Sequence, residues 1–196
     1  MPQPETRFSF AEYLLWQQQQ PERAEFVDGQ IRQMAGGSKR HNRLALRMAR
    51  LLEDAFPNCA VYASDVLLHV RWNDKQRGYY PDVLLVCESE DDERIVRNPC
   101  VIVEVLSDST QSIDQREKLW AYSQLPSLQH YVLVSQDLLY VRHHARNQQW
   151  QPRILVQPEA SLYLDCPPES PQSLSIQALY QGLGLEPHPP QAEDEI

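Results

Sequence analysis

The sequence predicts an α/β chain of the α+β kind: a mixed central β-sheet flanked by helices, with an N-terminal helix and a β-hairpin ahead of it. Three observations predict this. One long segment, 40–55, repeats its apolar residues at helical spacing. A series of short apolar runs of strand length follows it. Most connections between those runs are too short for a helical crossover, which disfavours an all-parallel wound sheet.

Taken in order, Ser9 and Glu12 make a capping-box pattern, and Phe10, Tyr13 and Leu14 continue it into a short helix that Pro21 ends. From Ala24 to Met34 the chain alternates around Asp28-Gly29, a strong hairpin signal, so Glu25 belongs to the first of two antiparallel strands. A Gly36-Gly37-Ser38 turn leads into the helix Arg40 to Ala55, whose apolar side is Leu44, Met48, Leu51, Leu52 and Ala55. Opposite them, Arg40, Arg43, Arg47 and Arg50 form one stripe, either an ordinary solvated face or a surface for phosphates. Extended runs are expected at Cys59–Tyr62, Asp65–Val70, Tyr79–Cys87, Cys100–Leu106, Leu128–Val134 and Leu138–His143, interrupted by one helix near Gln115–Leu125. Trp150–Leu164 reads as edge strands or loop, and Leu174–Leu183 as a short helix. A single domain over 1–185 is expected, followed by a proline-rich acidic tail at 186–196 that reads as disordered.

The 196 residues suit one domain with a full core. No apolar run is long enough to span a bilayer, and no secretory pattern is visible at the start, so the expectation is a cytoplasmic protein with no membrane partner. Cys59, Cys87, Cys100 and Cys166 are far apart and form no CxxC pair, so reduced thiols are expected. A net charge of −9 argues against a protein that coats nucleic acid through bulk electrostatics, so any DNA contact needs a local basic patch. Glu88, Glu90, Asp91, Asp92 and Glu93, and the tail acids Glu193, Asp194 and Glu195, read as solvated loop and tail.

Two apolar runs carry the chemistry. Tyr79-Tyr80-Pro81-Asp82-Val83-Leu84-Leu85-Val86 sets an acid near the start of one strand, and Cys100-Val101-Ile102-Val103-Glu104-Val105-Leu106 sets another near the end of a second. Both faces of each run are apolar, which implies a doubly covered sheet. A carboxylate there is costly unless it is ion-paired or holds a metal. If the strands are neighbours, two hard oxygen ligands meet, which suits Mg²⁺ and phosphodiester hydrolysis. Lys118 shares a helix face with Tyr122 and Leu125 and so turns inward, where it would orient water or steady charge on a phosphate; the plain alternative is a snorkelling surface lysine. Asp114 with Glu117 reads as a helix-capping pair. Glu25 as a ligand and His41 as a ligand or base have weaker claims, against the plain readings of an exposed or ion-paired glutamate and a hydrogen-bonded core histidine. His143 and His144 are adjacent on a strand and point to opposite faces, so they cannot share a metal. There is no P-loop, GxGxxG, GxSxG, HExxH or paired CxxC.

The strings EFVDGQIRQMAGGSKRHN, YYPDVLLVCE and NPCVIVEVLSDSTQSIDQREKLWAYSQLPSLQHYVLV resemble the bacterial restriction-endonuclease family of the Uma type, a branch of the PD-(D/E)xK nuclease superfamily, over about Phe8 to Leu183. The resemblance implies a restriction-endonuclease-like core and a Mg²⁺- or Mn²⁺-dependent endonuclease acting on DNA. It matches Asp82 to the aspartate of the PD motif and Glu104 to the second acid. Leu106 stands where the superfamily's lysine would be, and the charge is implied to have moved to Lys118. Glu25 matches an early glutamate and His41 a recurrent histidine. Asp108 departs from a usual proline and Leu125-Pro126 from a glycine turn, neither at a proposed ligand. Homodimers are the default for enzymes cutting two strands related by a two-fold axis. The competing readings are a catalytically inactive module of the same fold that binds DNA or a protein, and a subunit that works only with a partner.

Overall fold

The computed structural model describes residues 7–34, 36–106, 112–167 and 169–186. Its opening elements follow from local chemistry. Ser9 and Glu12 close a reciprocal capping box on helix α1 (Phe10–Gln17), with the Ser9 amide donating to Glu12 at 2.7 Å and the Glu12 amide to Ser9 Oγ at 3.2 Å. The hairpin β1 (Ala24–Val27) and β2 (Gln30–Gln33) turns at Asp28 (φ 49°) and Gly29 (φ 96°), the positive-φ pair that a two-residue turn demands. Ser38 caps α2 (Lys39–Ala55) by accepting the His41 amide at 3.0 Å, which fixes His41 in the first turn.

The strands that follow are β3 (Ala60–Ala63), β4 (Leu67–Trp72), β5 (Lys75–Tyr79), β6 (Val83–Val86), β7 (Ile95–Val96) and β8 (Val101–Leu106). Helix α3 (Ser112–Ser123) leads to β9 (His130–Ser135), β10 (Val141–Ala145), β11 (Pro152–Leu155), β12 (Ser161–Leu164), β13 (Gln172–Ser175) and α4 (Ile176–Tyr180). They form two larger sheets rather than one, ordered β2-β1-β5-β4-β7 and β11-β10-β9-β8-β6-β3, plus the hairpin β12-β13. Each larger sheet is mixed: β4 with β7 and β8 with β9 are parallel, and the other pairs antiparallel. The expected run Tyr79–Cys87 divides at Tyr80-Pro81, because Tyr79 belongs to the first sheet and Val83 to the second. The Lys75–Tyr79 strand was not foreseen; Asn73, at φ 52°, turns β4 back into it.

The six-stranded sheet is covered on both faces, as the apolar runs implied. One face packs Val83, Leu85, Val101 and Val103 against Leu44, Met48 and Leu52 of α2. The other packs Leu84, Ile102 and Tyr131 against Tyr122 and Leu125 beside Val27, Leu68 and Tyr79 of the five-stranded sheet. Helix α1 closes the outer side of that sheet through Phe10 and Tyr13 against Phe26 and Tyr80. The acidic loop is largely exposed, as expected, but its carboxylates shape it: Glu90 accepts the amides of Arg97 (2.9 Å) and Asn98 (2.7 Å), and Asp92 accepts that of Arg94 (3.0 Å). The expected tail lies outside the described residues from 187 onward, and Asp108 does so as well.

The expectation of reduced thiols is overturned. Cys59 bonds Cys87 and Cys100 bonds Cys166. Ala60 faces Val86 in the β3–β6 ladder, so one further step sets Cys59 against Cys87 across strands that the sequence keeps 28 residues apart. Closing loops of 28 and 66 residues restricts the unfolded chain by about 3.6 and about 4.4 kcal/mol in a chain-entropy account. Thiol titration of the unreduced, denatured protein is expected to find no free cysteine, and dithiothreitol to lower the melting temperature sharply. Four titratable thiols would contradict the pairing.

His143 and His144 diverge as expected. His143 meets His130, while His144 stacks on Tyr131. The Asp165 amide donates to His130 Nε2 at 2.7 Å, so His130 carries its proton on Nδ1 and gives it to His143 Nε2 at 2.9 Å. Burial first, and then the His130 contact, push His143 down to about 3 from an ordinary 6.5. The unfolded chain therefore takes up a proton below pH 6.5 that the folded one refuses until about pH 3. Stability from this group is complete above pH 6.5 and drains away as the pH falls toward 3. Urea unfolding is expected to show a loss of about 2 kcal/mol from this source between about pH 7 and about pH 5. His143→Gln should flatten that part of the profile; an unchanged slope would remove His143 as its source.

Candidate active site

Val83 lies opposite Val103 in the antiparallel β6–β8 pair, and one step further sets Asp82 against Glu104. Directly opposed residues share a face, here the one turned toward α3 and the five-stranded sheet. The two acids that the sequence singled out are thus brought together, and three other elements complete the cluster.

From α3, Lys118 sends its ammonium to Glu104 Oε1 at 3.3 Å and to Glu25 Oε1 on β1 at 2.9 Å. Tyr122, one turn further on, donates to the same Glu104 Oε1 at 2.8 Å. From α2, His41 Nε2 lies 2.8 Å from Asp82 Oδ1, while the Val105 amide donates to Asp82 Oδ2 at 2.6 Å. The side chains are largely buried, with Glu25 11%, Glu104 12%, Lys118 9% and Asp82 17% exposed. Asp82 also lines an open cleft of ≈ 600 Å³ with Arg23, Met34, Ser64, Asp65 and Tyr80, so the cluster borders solvent at its Asp82 end.

The electrostatics are those of crowded acids. Burial pushes the Glu104 carboxyl up, Lys118 opposes this, and the charges of Asp82 and Glu25 push it further up. His41 is raised, first by its hydrogen bond to Asp82, with burial acting against it. Among the described residues, no three His, Cys, Asp or Glu side chains form a ready metal cage. The donor set nonetheless fits a hard cation, since Mg²⁺ needs only one or two carboxylates and takes its other ligands from water and phosphate.

Glu25, His41, Asp82, Glu104 and Lys118 therefore converge. The arginine stripe is partly taken up by the fold: Arg47 donates to the Leu179 carbonyl at 3.1 Å, Arg40 reaches Asp137 at 3.4 Å and Arg50 reaches Asp54 at 3.8 Å, leaving Arg43 exposed. The Asp114–Glu117 cap is a correction. The helix already begins at Ser112, and Glu117 instead reaches Arg32 at 2.9 Å, the Tyr79 hydroxyl at 3.1 Å and Arg77 at 3.4 Å. Sequence reading missed Tyr122 as a Glu104 partner, although its four-residue spacing from Lys118 is visible. The Arg77–Tyr79–Glu117 network left no sequence signal, because it joins two elements far apart in the chain.

Comparison with known proteins agrees with this architecture. A crystal structure from Anabaena variabilis ATCC 29413, described as "a putative nuclease belonging to DUF820", superposes with a TM-score of 0.70 at 16% identity, covering 90% of this chain and 99% of that one. Two uncharacterized proteins of Synechocystis sp. (strain ATCC 27184 / PCC 6803 / Kazusa), sll1609 and slr1290, are each 34% identical over 148 residues; the matches cover 71% and 74% of this chain and 82% and 77% of theirs. Among the described residues no helix is long and apolar enough to cross a membrane. Residues 10–177 match the model of the Uma2 family, whose description is "Putative restriction endonuclease", and with that match the chain belongs to the Uma2 family.

Proposed function

We propose that the protein is an endonuclease that hydrolyses phosphodiester bonds in DNA with the help of Mg²⁺ or Mn²⁺. The observation that carries the reading is the meeting of Asp82, Glu104 and Lys118 from separate elements, with Asp82 on the wall of an open cleft. Asp82 and Glu104 would hold the cation, which when bound lowers the pKa of a coordinated water and polarises a phosphoryl oxygen. The protein's own groups do the rest. Tyr122 and Lys118 both engage Glu104 Oε1, which leaves Oε2 for the cation. His41 and the Val105 amide fix the Asp82 carboxylate. Lys118 presents its ammonium to the attacking water and to the negative charge that grows on the phosphate. Glu25 orients Lys118 and is the accessory acid of the site. Arg43, exposed in the first turns of α2, is the arginine of the stripe best placed for phosphate contact, with Arg40 available if it leaves Asp137.

The proposal includes one domain over 1–185, a homodimer for double-strand cutting and a cytoplasmic location. Disulfides are uncommon in that compartment, so the thiol titration above bears on the last point as well. Incubation of supercoiled plasmid with Mg²⁺ or Mn²⁺ is the direct test. Nicked or linear product that EDTA abolishes is the expected result. DNA binding without any cutting, in either metal, would instead favour the inactive module.

A further inference from the structure

Beyond the acid cluster, the inner face of the five-stranded sheet runs outward in two-residue steps. Val27 lies opposite Arg77 across β1–β5, and Val70 opposite Arg77 and Trp72 opposite Lys75 across β4–β5. Tyr79, Arg77 and Lys75 therefore share one face of β5, with Trp72 beside them. Tyr79 is the inner end of this row, since the Lys118 ammonium lies 5.6 Å from its ring. Arg77 is the middle: it donates to the Tyr79 hydroxyl at 3.1 Å, and its guanidinium lies 4.9 Å from the Trp72 ring and 5.5 Å from that of Trp120 on α3. At the outer end the two indoles meet edge to face at 4.8 Å, and the Lys75 ammonium lies 5.9 Å and 6.0 Å from them.

The outer end is open to solvent. Trp120 is 46% exposed, and Lys75 is exposed. Of the acids close by, Asp28 holds Arg77 at 2.8 Å and Glu117 is shared between Arg32 at 2.9 Å and Arg77 at 3.4 Å, while Asp74 precedes Lys75 in the β4–β5 turn. An exposed indole with an ammonium beside it is thus set on an otherwise acidic chain of net charge −9. Four residue steps of strand lead from Lys75 to Tyr79, so this platform stands about 13 Å along the sheet from the cluster.

We infer that Trp120, Trp72 and Lys75 form a stacking platform for an unpaired nucleic-acid strand, the indole taking a base and Lys75 an adjacent phosphate. The chemistry matches: base faces are open to stacking only in an unpaired strand, and a neighbouring cation adds phosphate contact. The inference rests on the nuclease reading for its biological sense and deepens it, because it commits the substrate to a single-stranded or locally opened segment beside the cut.

Fluorescence anisotropy in EDTA, with a short labelled oligothymidylate and a blunt duplex of the same length, tests it on the full chain. Trp120→Ala is expected to weaken single-strand binding about tenfold, with Trp120→Phe much milder. Lys75→Ala is expected to weaken it and to reduce the salt slope by about one. Thermal melts identify any variant that has lost its fold, and the surface change Lys75→Ala keeps the test open if Trp120→Ala does not fold. Wild-type affinity in Trp120→Ala or in Lys75→Ala would overturn the platform, as would an equal loss on the duplex or a wild type that binds neither probe. The two readings fail separately. Plasmid cutting with Trp120-independent binding removes the platform alone, and Trp120-dependent binding without cutting removes the nuclease alone.

Discussion

Glu104→Gln is expected to lower plasmid cleavage by about 10³-fold while raising thermal stability in the absence of metal. The opposite signs follow from one geometry. Burial and the nearby Asp82 and Glu25 all disfavour a charge on Glu104, against Lys118 and the Tyr122 hydrogen bond, which favour it. A glutamine side-chain oxygen still accepts from Tyr122, yet it carries no charge to repel the other two acids. The folded state is thereby relieved by about 1 kcal/mol or more. The same loss of charge removes a hard oxygen ligand, so calorimetric Mn²⁺ affinity should fall at least about tenfold. Asp82→Ala should match the cleavage and metal losses without the gain in stability, because it empties a position that holds the Val105 amide and His41. A Glu104→Gln protein that cuts like wild type would take Glu104 out of the machinery. One that loses activity and stability together would make it a structural acid.

The site was legible in the sequence to the extent that burial was legible. Asp82 and Glu104 stood out because each interrupts a run apolar on both faces, and such runs can only be interior strands. Lys118 was legible because Tyr122, four residues on, and Leu125, three beyond that, mark the inner side of the segment that forms α3 and its exit. Glu25 and His41 were weaker because an exposed hairpin and a capped helix start can each hold such a residue for ordinary reasons. Pairings between distant strands were out of reach. The same blindness hid the partition into two sheets, the Cys59–Cys87 bond and the partners of Glu117. The first two turn on which strands pair, which residue patterns within one strand do not encode, and the third on how α3 docks against the five-stranded sheet.

Lys118→Met should cost more than any other single change at the site, about 3–5 kcal/mol of stability together with a cleavage loss of about 10²- to 10³-fold. The Lys118 side chain is 9% exposed, and its ammonium lies between the carboxylates of Glu25 and Glu104, whose side chains are 11% and 12% exposed. Methionine fills much the same space, so packing is nearly preserved, and the change isolates the charge. With it gone, Glu25 and Glu104 lose the ammonium that bridges them in a largely buried position, and folding must either protonate one of them or strain them apart. That predicts a second signature which a merely packed lysine would lack: Mg²⁺ should raise the melting temperature of Lys118→Met by more than it raises that of wild type, because the ion then supplies the missing positive charge. Lys118→Met melting within about 1 kcal/mol of wild type, or gaining nothing extra from Mg²⁺, would mean that the two acids are balanced from elsewhere and that the amine does not hold the site together.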